Sequence, residues 1–128
     1  MGSAARADVV TEWNVIAVNA TTIPPNSVLQ SRTIAIVHAA IYDAANAVER
    51  KGGAYAVDLK AAPGTSLDAA VAAAAHGALV RLVPAQRPAL DTALNAALAK
   101  IPEGSGKADG VTIGAQVAER MVVLRSSD

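Results

Sequence analysis

The chain has 128 residues, enough for one domain with a single modest core. Its 11 basic and 11 acidic residues cancel and aromatics make up only 2%, which excludes the basic, base-stacking surface that nucleic acid requires. There is no cysteine, so disulfides and thiolate metal sites are excluded as well.

Alanine supplies about a quarter of the chain, a composition that favours helix over strand. Residues 1–6, opening Met1-Gly2-Ser3, read as a leader, and 7–128 as a single helical domain. A secreted or periplasmic location fits if a signal peptide was removed ahead of Ala4. In the first helix, Val9, Trp13, Ile16 and Ala20 fall at helical spacing, with Asp8 as a candidate N-cap. Pro24-Pro25 breaks the chain, and Asn26 or Ser27 can cap a second helix that runs to about Val48. Its stripe of Ile34, Val37, Ile41, Ala45 and Val48 is widened by Ile36, Ala39, Ala40, Ala44 and Ala47, which predicts a central, mostly buried helix. Gly52-Gly53 is the expected stop.

Residues 52–65 carry no helical stripe and predict a loop, with the segment AYAV packed in extended form. Ser66 caps a third helix carrying Leu67, Val71, Ala75, Ala78 and Leu82, and Pro84 stops it. A fourth helix has Leu90, Leu94, Leu98 and Ile101 on one side, with Pro88 tolerable only in the first turn. PEGSGKADG predicts a flexible turn, and Ile113, Val117, Met121 and Leu124 mark a fifth helix. The expected fold class is all-α, a bundle of about five helices. The apolar runs are short or interrupted by His38 or His76, so no membrane span is expected.

Chemistry centres on SRTIAIVHAAIYDAAN, residues 31–46. Arg32 and His38 are residue types that can grip a tetrahedral oxyanion and attack it. On a continuous helix they lie about 120° apart, so converging on one ion requires Arg32 to reach round from its own turn. His38 and Asp43 lie about 140° apart and do not share a face, and His76 has no acidic neighbour one turn away, so no metal is expected. No nucleophile elbow, P-loop or dinucleotide fingerprint is present. The plainer roles are structural. His38 would be a core histidine bonded to a carbonyl or to Asn46, or packed on Tyr42, while Arg32 and Asp43 would each pair with another helix or a helix end.

ADVVTEWNVIAVNAT, PPNSVLQSRTIAIVHAAIYDAANAVE, AYAV and GVTIGAQVAERMVVLRSSD, in that order, resemble the N-terminal helical region of bacterial vanadium-dependent haloperoxidase-like proteins of the type 2 phosphatidic acid phosphatase superfamily. The resemblance runs from about residue 7 to 128. It implies a parent that oxidises halide with peroxide or hydrolyses phosphate esters, with the chemistry in a separate helical bundle. There, three motifs hold vanadate or phosphate: Lys-x6-Arg-Pro, Pro-Ser-Gly-His and Ser-Arg-x5-His-x3-Asp. This chain departs from them. Arg87-Pro88 is preceded by Val80 where the Lys should stand, and Pro-Ser-Gly-His is missing. Ser31-Arg32-x5-His38 matches the third motif's start, but Asp43 comes one residue late.

The resulting expectation is a non-catalytic domain with no cofactor of its own, vanadate being implied only for the parent family. Trp13, Arg32, His38, Tyr42 and Asp43 take structural roles. The expected partner is the missing catalytic bundle or a second copy in a homo-oligomer. Two alternatives stand beside it: a stand-alone helical interaction or self-association module, and a minimal phosphate or vanadate binder using Arg32 and His38.

Overall fold

A computed structural model describes residues 2–21, 27–50 and 52–126, with side chains for all of these except 2–8, 27 and 29. The described residues form five helices: α1 (Gly2–Thr21), α2 (Ser27–Glu49), α3 (Leu67–Leu82), α4 (Arg87–Ala99) and α5 (Ser105–Ser126). A 3-10 turn, Pro84–Gln86, links α3 to α4, and no strand occurs among the described residues. The protein is an all-α bundle.

The centre of the bundle is α3, which touches each of the other four helices. Its start is built as its sequence predicts. Ser66 has extended backbone, its hydroxyl accepts the Ala69 N–H at 3.1 Å, and Asp68 in the first turn and Arg81 in the last complement the helix dipole. Ten of its residues are buried, seven of them alanine, so neighbouring helices approach it closely from several sides. α2 is buried along its C-terminal half, from Ile36 to Ala47, and exposed at Val28, Ser31, Arg32 and Ala35. The mostly buried second helix of the sequence analysis is therefore a neighbour of the centre rather than the centre itself.

α5 meets α3 backbone to backbone. Gly106, Gly110, Gly114 and Ala118 recur every fourth residue and so line one side of the helix. A Cβ on Gly110 would stand 2.7 Å from both the Ala69 Cβ and the Ser66 carbonyl oxygen. One on Gly114 would strike the Ala70 carbonyl, the Ala73 Cβ at 2.8 Å and the Ala74 nitrogen at 2.9 Å. From the opposite side, a Cβ on Gly77 of α3 would stand 2.8 Å from the Ala118 Cβ. This packing corrects the expected flexible turn over PEGSGKADG. Its residues from Ser105 onward are helical, because the glycines that lower helix propensity are the ones that let α5 lie against α3.

Two boundary expectations change. Asp8 lies inside α1, which begins at Gly2, and so does not cap it. α2 ends at Glu49, ahead of Gly52-Gly53, and Arg50 takes the left-handed turn at φ 56°. A non-glycine residue there costs of order 1 kcal/mol. It is offset by bonds that only the folded chain can make: Arg50 N–H to the Asn46 carbonyl at 2.7 Å, and its guanidinium to Asp58 at 3.0 Å and the Leu59 carbonyl at 3.1 Å. The Pro24-Pro25 break and the Asn26 and Ser27 caps lie outside the described residues and side chains. α4 carries Pro88 in its first turn and buries Leu90 against the rest. Among the described residues, no helix is long and apolar enough to cross a membrane.

Candidate functional site

α2 directs the candidate residues of the opening stretch towards three different neighbours. Arg32, on its exposed N-terminal half, donates from Nη2 to the carbonyl oxygen of Arg125 at 2.7 Å. That carbonyl sits in the last turn of α5, where helix carbonyls have no intrahelical partner and the dipole favours a cation. His38 is exposed rather than a core residue. Its Nε2–H donates to Oδ1 of Asn14 on α1 at 2.7 Å, and not to a carbonyl or to Asn46. One side chain thus fastens α2 to α5 and the other fastens it to α1. Their donors diverge, as the helical angle between the two positions suggests. Vanadate or phosphate needs cationic donors converging on one point. Arg32 and His38, each engaged with a different helix, do not fit that requirement.

Further along, one face of α2 holds the loop that follows it. Asp43 is fully buried at 0% exposure, and its carboxylate accepts three consecutive backbone N–H groups. Oδ1 takes Tyr55 at 2.5 Å, while Oδ2 takes Ala56 at 2.8 Å and Val57 at 2.7 Å. Tyr42, half exposed, donates its hydroxyl to the Gly53 carbonyl at 3.2 Å, and Asn46 Oδ1 accepts the Gly52 N–H at 3.3 Å. The Ala61 N–H reaches the Ala47 carbonyl at 2.9 Å. With Arg50, these residues tie residues 52–61 along the helix. AYAV is thereby laid over α2, and Val57 enters the core at 4% exposure. The need of a buried aspartate for a partner is readable from sequence, but a partner consisting of loop N–H groups is not, since it has no side-chain identity.

Trp13 is buried at 0% exposure in the core, and its indole N–H has no protein acceptor within reach. Such a group costs about 1–3 kcal/mol relative to a satisfied one. Trp13 also borders a cavity of about 360 Å³ between α1, the start of α3 and the end of α4, with Glu12, Asp68 and Lys100 at its edge. A second cavity, of about 410 Å³, lies between the loop at 56–58 and α5. Neither is lined by Arg32, His38 or His76.

One polar pair was missed because it joins two helices without a local pattern. His76 of α3 donates from Nε2 to Asp91 Oδ1 of α4 at 2.7 Å, and Arg87 lies 3.6 Å from the other carboxylate oxygen. No hydroxyl among the described residues hydrogen-bonds the remaining ring nitrogen. The hydrogen bond from His76 is the main cause that holds the Asp91 carboxyl below its ordinary value. Desolvation opposes it, and the charges of protonated His76 and of Arg87 add to it. A depressed carboxylate contributes stability that is present above its unfolded value and lost as pH falls through its folded value. The stability gap between the parent and Asp91→Asn should therefore narrow as pH falls below the ordinary carboxylate range. Urea unfolding over an acid series measures it, and a gap that widens with acid would contradict the assignment.

Among the described residues no group of three or more His, Asp and Glu is placed to hold a metal ion. The arrangement around α2 thus consists of fastenings between helices and to a loop. Comparison with protein-family models, with curated proteins and with solved structures gave no match.

Proposed function

We propose that the chain is a non-catalytic helical packing and oligomerisation domain of the kind found in the N-terminal part of vanadium-dependent haloperoxidase-like proteins. In such a parent, peroxide-driven halide oxidation or phosphate-ester hydrolysis belongs to another bundle, and this domain supplies surface to it or to a second copy. The observation that supports this is the divergence of Arg32 and His38, whose donors go to Arg125 and to Asn14. A second version, a stand-alone self-association module, is favoured by the exposed apolar side chains Tyr55, Val123 and Leu124 at 64%, 63% and 48%.

Bromide oxidation with orthovanadate and peroxide, and hydrolysis of an aryl phosphate, test the non-catalytic role. No turnover above a no-protein control is expected. Vanadate-dependent turnover that disappears in His38→Ala would overturn it and restore the oxyanion-binding alternative.

A further inference from the structure

The cavity of about 410 Å³ between the loop and α5 is an open groove with an apolar strip and charges of both signs. Val123 and Leu124 of α5 form one wall and Ala56 and Val57 the other. Glu119 and Arg120 stand one helical turn before Val123 and Leu124, so both charges lie on the face that carries the strip. Tyr55, beside Ala56 in the chain, is largely exposed.

The charges narrow what can cover this surface. Asp58 is bonded to Arg50 at 3.0 Å and Glu119 lies 3.6 Å from Arg81, yet both carboxylates stay about two-thirds exposed and can accept more. Arg120 has no ion-pair partner among the described residues. An uncharged apolar occupant would leave the Arg120 guanidinium desolvated and unpaired. A purely acidic partner would meet Asp58 and Glu119, and a purely basic one would meet Arg120. The surface that answers all three carries both signs at the same spacing around an apolar strip, and a second copy of this chain has it by construction. In a two-fold interface each residue meets its complement reciprocally, so Arg120 of each copy would face Glu119 of the other.

We infer that this groove is the surface through which two copies of the chain associate about a two-fold axis. The inference rests on the self-association reading above and adds its location and charge register.

Sedimentation velocity at micromolar concentration tests it on the parent, Val123→Asp, Arg120→Glu and Glu119→Arg. All three positions are exposed, and retained helicity and melting confirm that each variant folds. The parent should sediment as a dimer, and each variant should weaken dimerisation at least tenfold. An equimolar mixture of Arg120→Glu and Glu119→Arg should recover a dimer, because each swapped charge then meets its opposite on the other copy. A parent that stays monomeric would overturn both the self-association reading and this inference. A dimeric parent untouched by Val123→Asp and Arg120→Glu would overturn the location alone and leave self-association through another face.

Discussion

Gly114→Ala should lower stability by about 2–3 kcal/mol, or roughly 10 °C in midpoint, although alanine is the better helix former. Alanine gains about 1 kcal/mol of intrinsic propensity at an ordinary helical site. At position 114 the new methyl would strike the Ala70 carbonyl and crowd the Ala74 nitrogen, both backbone atoms that cannot swing aside. α5 must then draw back from α3, which loosens the largest helix–helix contact in the fold. Two controls separate crowding from propensity. Ala115→Gly, one residue on and exposed, should cost only the propensity of about 1 kcal/mol. Gly53→Ala has nothing within 4 Å of its Cβ and should be close to neutral. A Gly114→Ala protein as stable as the parent would mean that the two backbones are not in contact.

Asp43→Ala should cost about 3–5 kcal/mol, far more than the loss of a surface carboxylate, because it leaves three N–H groups without their acceptor. The loop at 54–57 should come away from α2 and Val57 should leave the core. Hydrogen exchange at Tyr55, Ala56 and Val57 would then rise well before global unfolding. Asp43→Asn should not rescue the loop, since an amide offers one acceptor oxygen where the carboxylate offers two. Asp58→Ala, which removes an exposed partner of Arg50, should cost less than about 1 kcal/mol and sets the scale for a surface charge. Slow exchange at residues 55–57 in Asp43→Ala would contradict the clasp.

Local chemistry made much of this fold readable. Ser66 as a cap, Pro84 as a stop and Pro88 in a first turn each act within a few residues, and each is where the sequence places it. Near Arg50 and at the start of α5, distant contacts override local preference. Gly106 and Gly110 of the GSGKADG stretch look like a linker in isolation, yet Gly106 lies against Gly64 and Ser66 just ahead of α3 and Gly110 against the first turn of α3. The four-residue recurrence of small side chains from Gly106 to Ala118 was the available signal. Arg50 can hold a left-handed turn because Asp58 and Leu59 brace it, which no helix-stop rule anticipates. The candidate site was legible as a set of residues but not as a set of partners. Arg32 meets a carbonyl 93 residues away, and His38 an asparagine 24 residues away. Spacing along α2 says only that these two side chains leave the helix in different directions.

The stretch from Ser31 to His38 is therefore best tested by asking whether it binds an anion at all. Thermal unfolding of the parent, Arg32→Ala and His38→Ala, each with and without millimolar phosphate or orthovanadate, makes the comparison directly. A ligand at a hundred times its dissociation constant would stabilise the folded chain by about 2.7 kcal/mol. As exposed interhelical fastenings, Arg32 and His38 should each cost about 0.5–1.5 kcal/mol when removed, and phosphate should shift none of the three midpoints. A midpoint that phosphate raises in the parent, and in neither variant, would show that Arg32 and His38 form an oxyanion site.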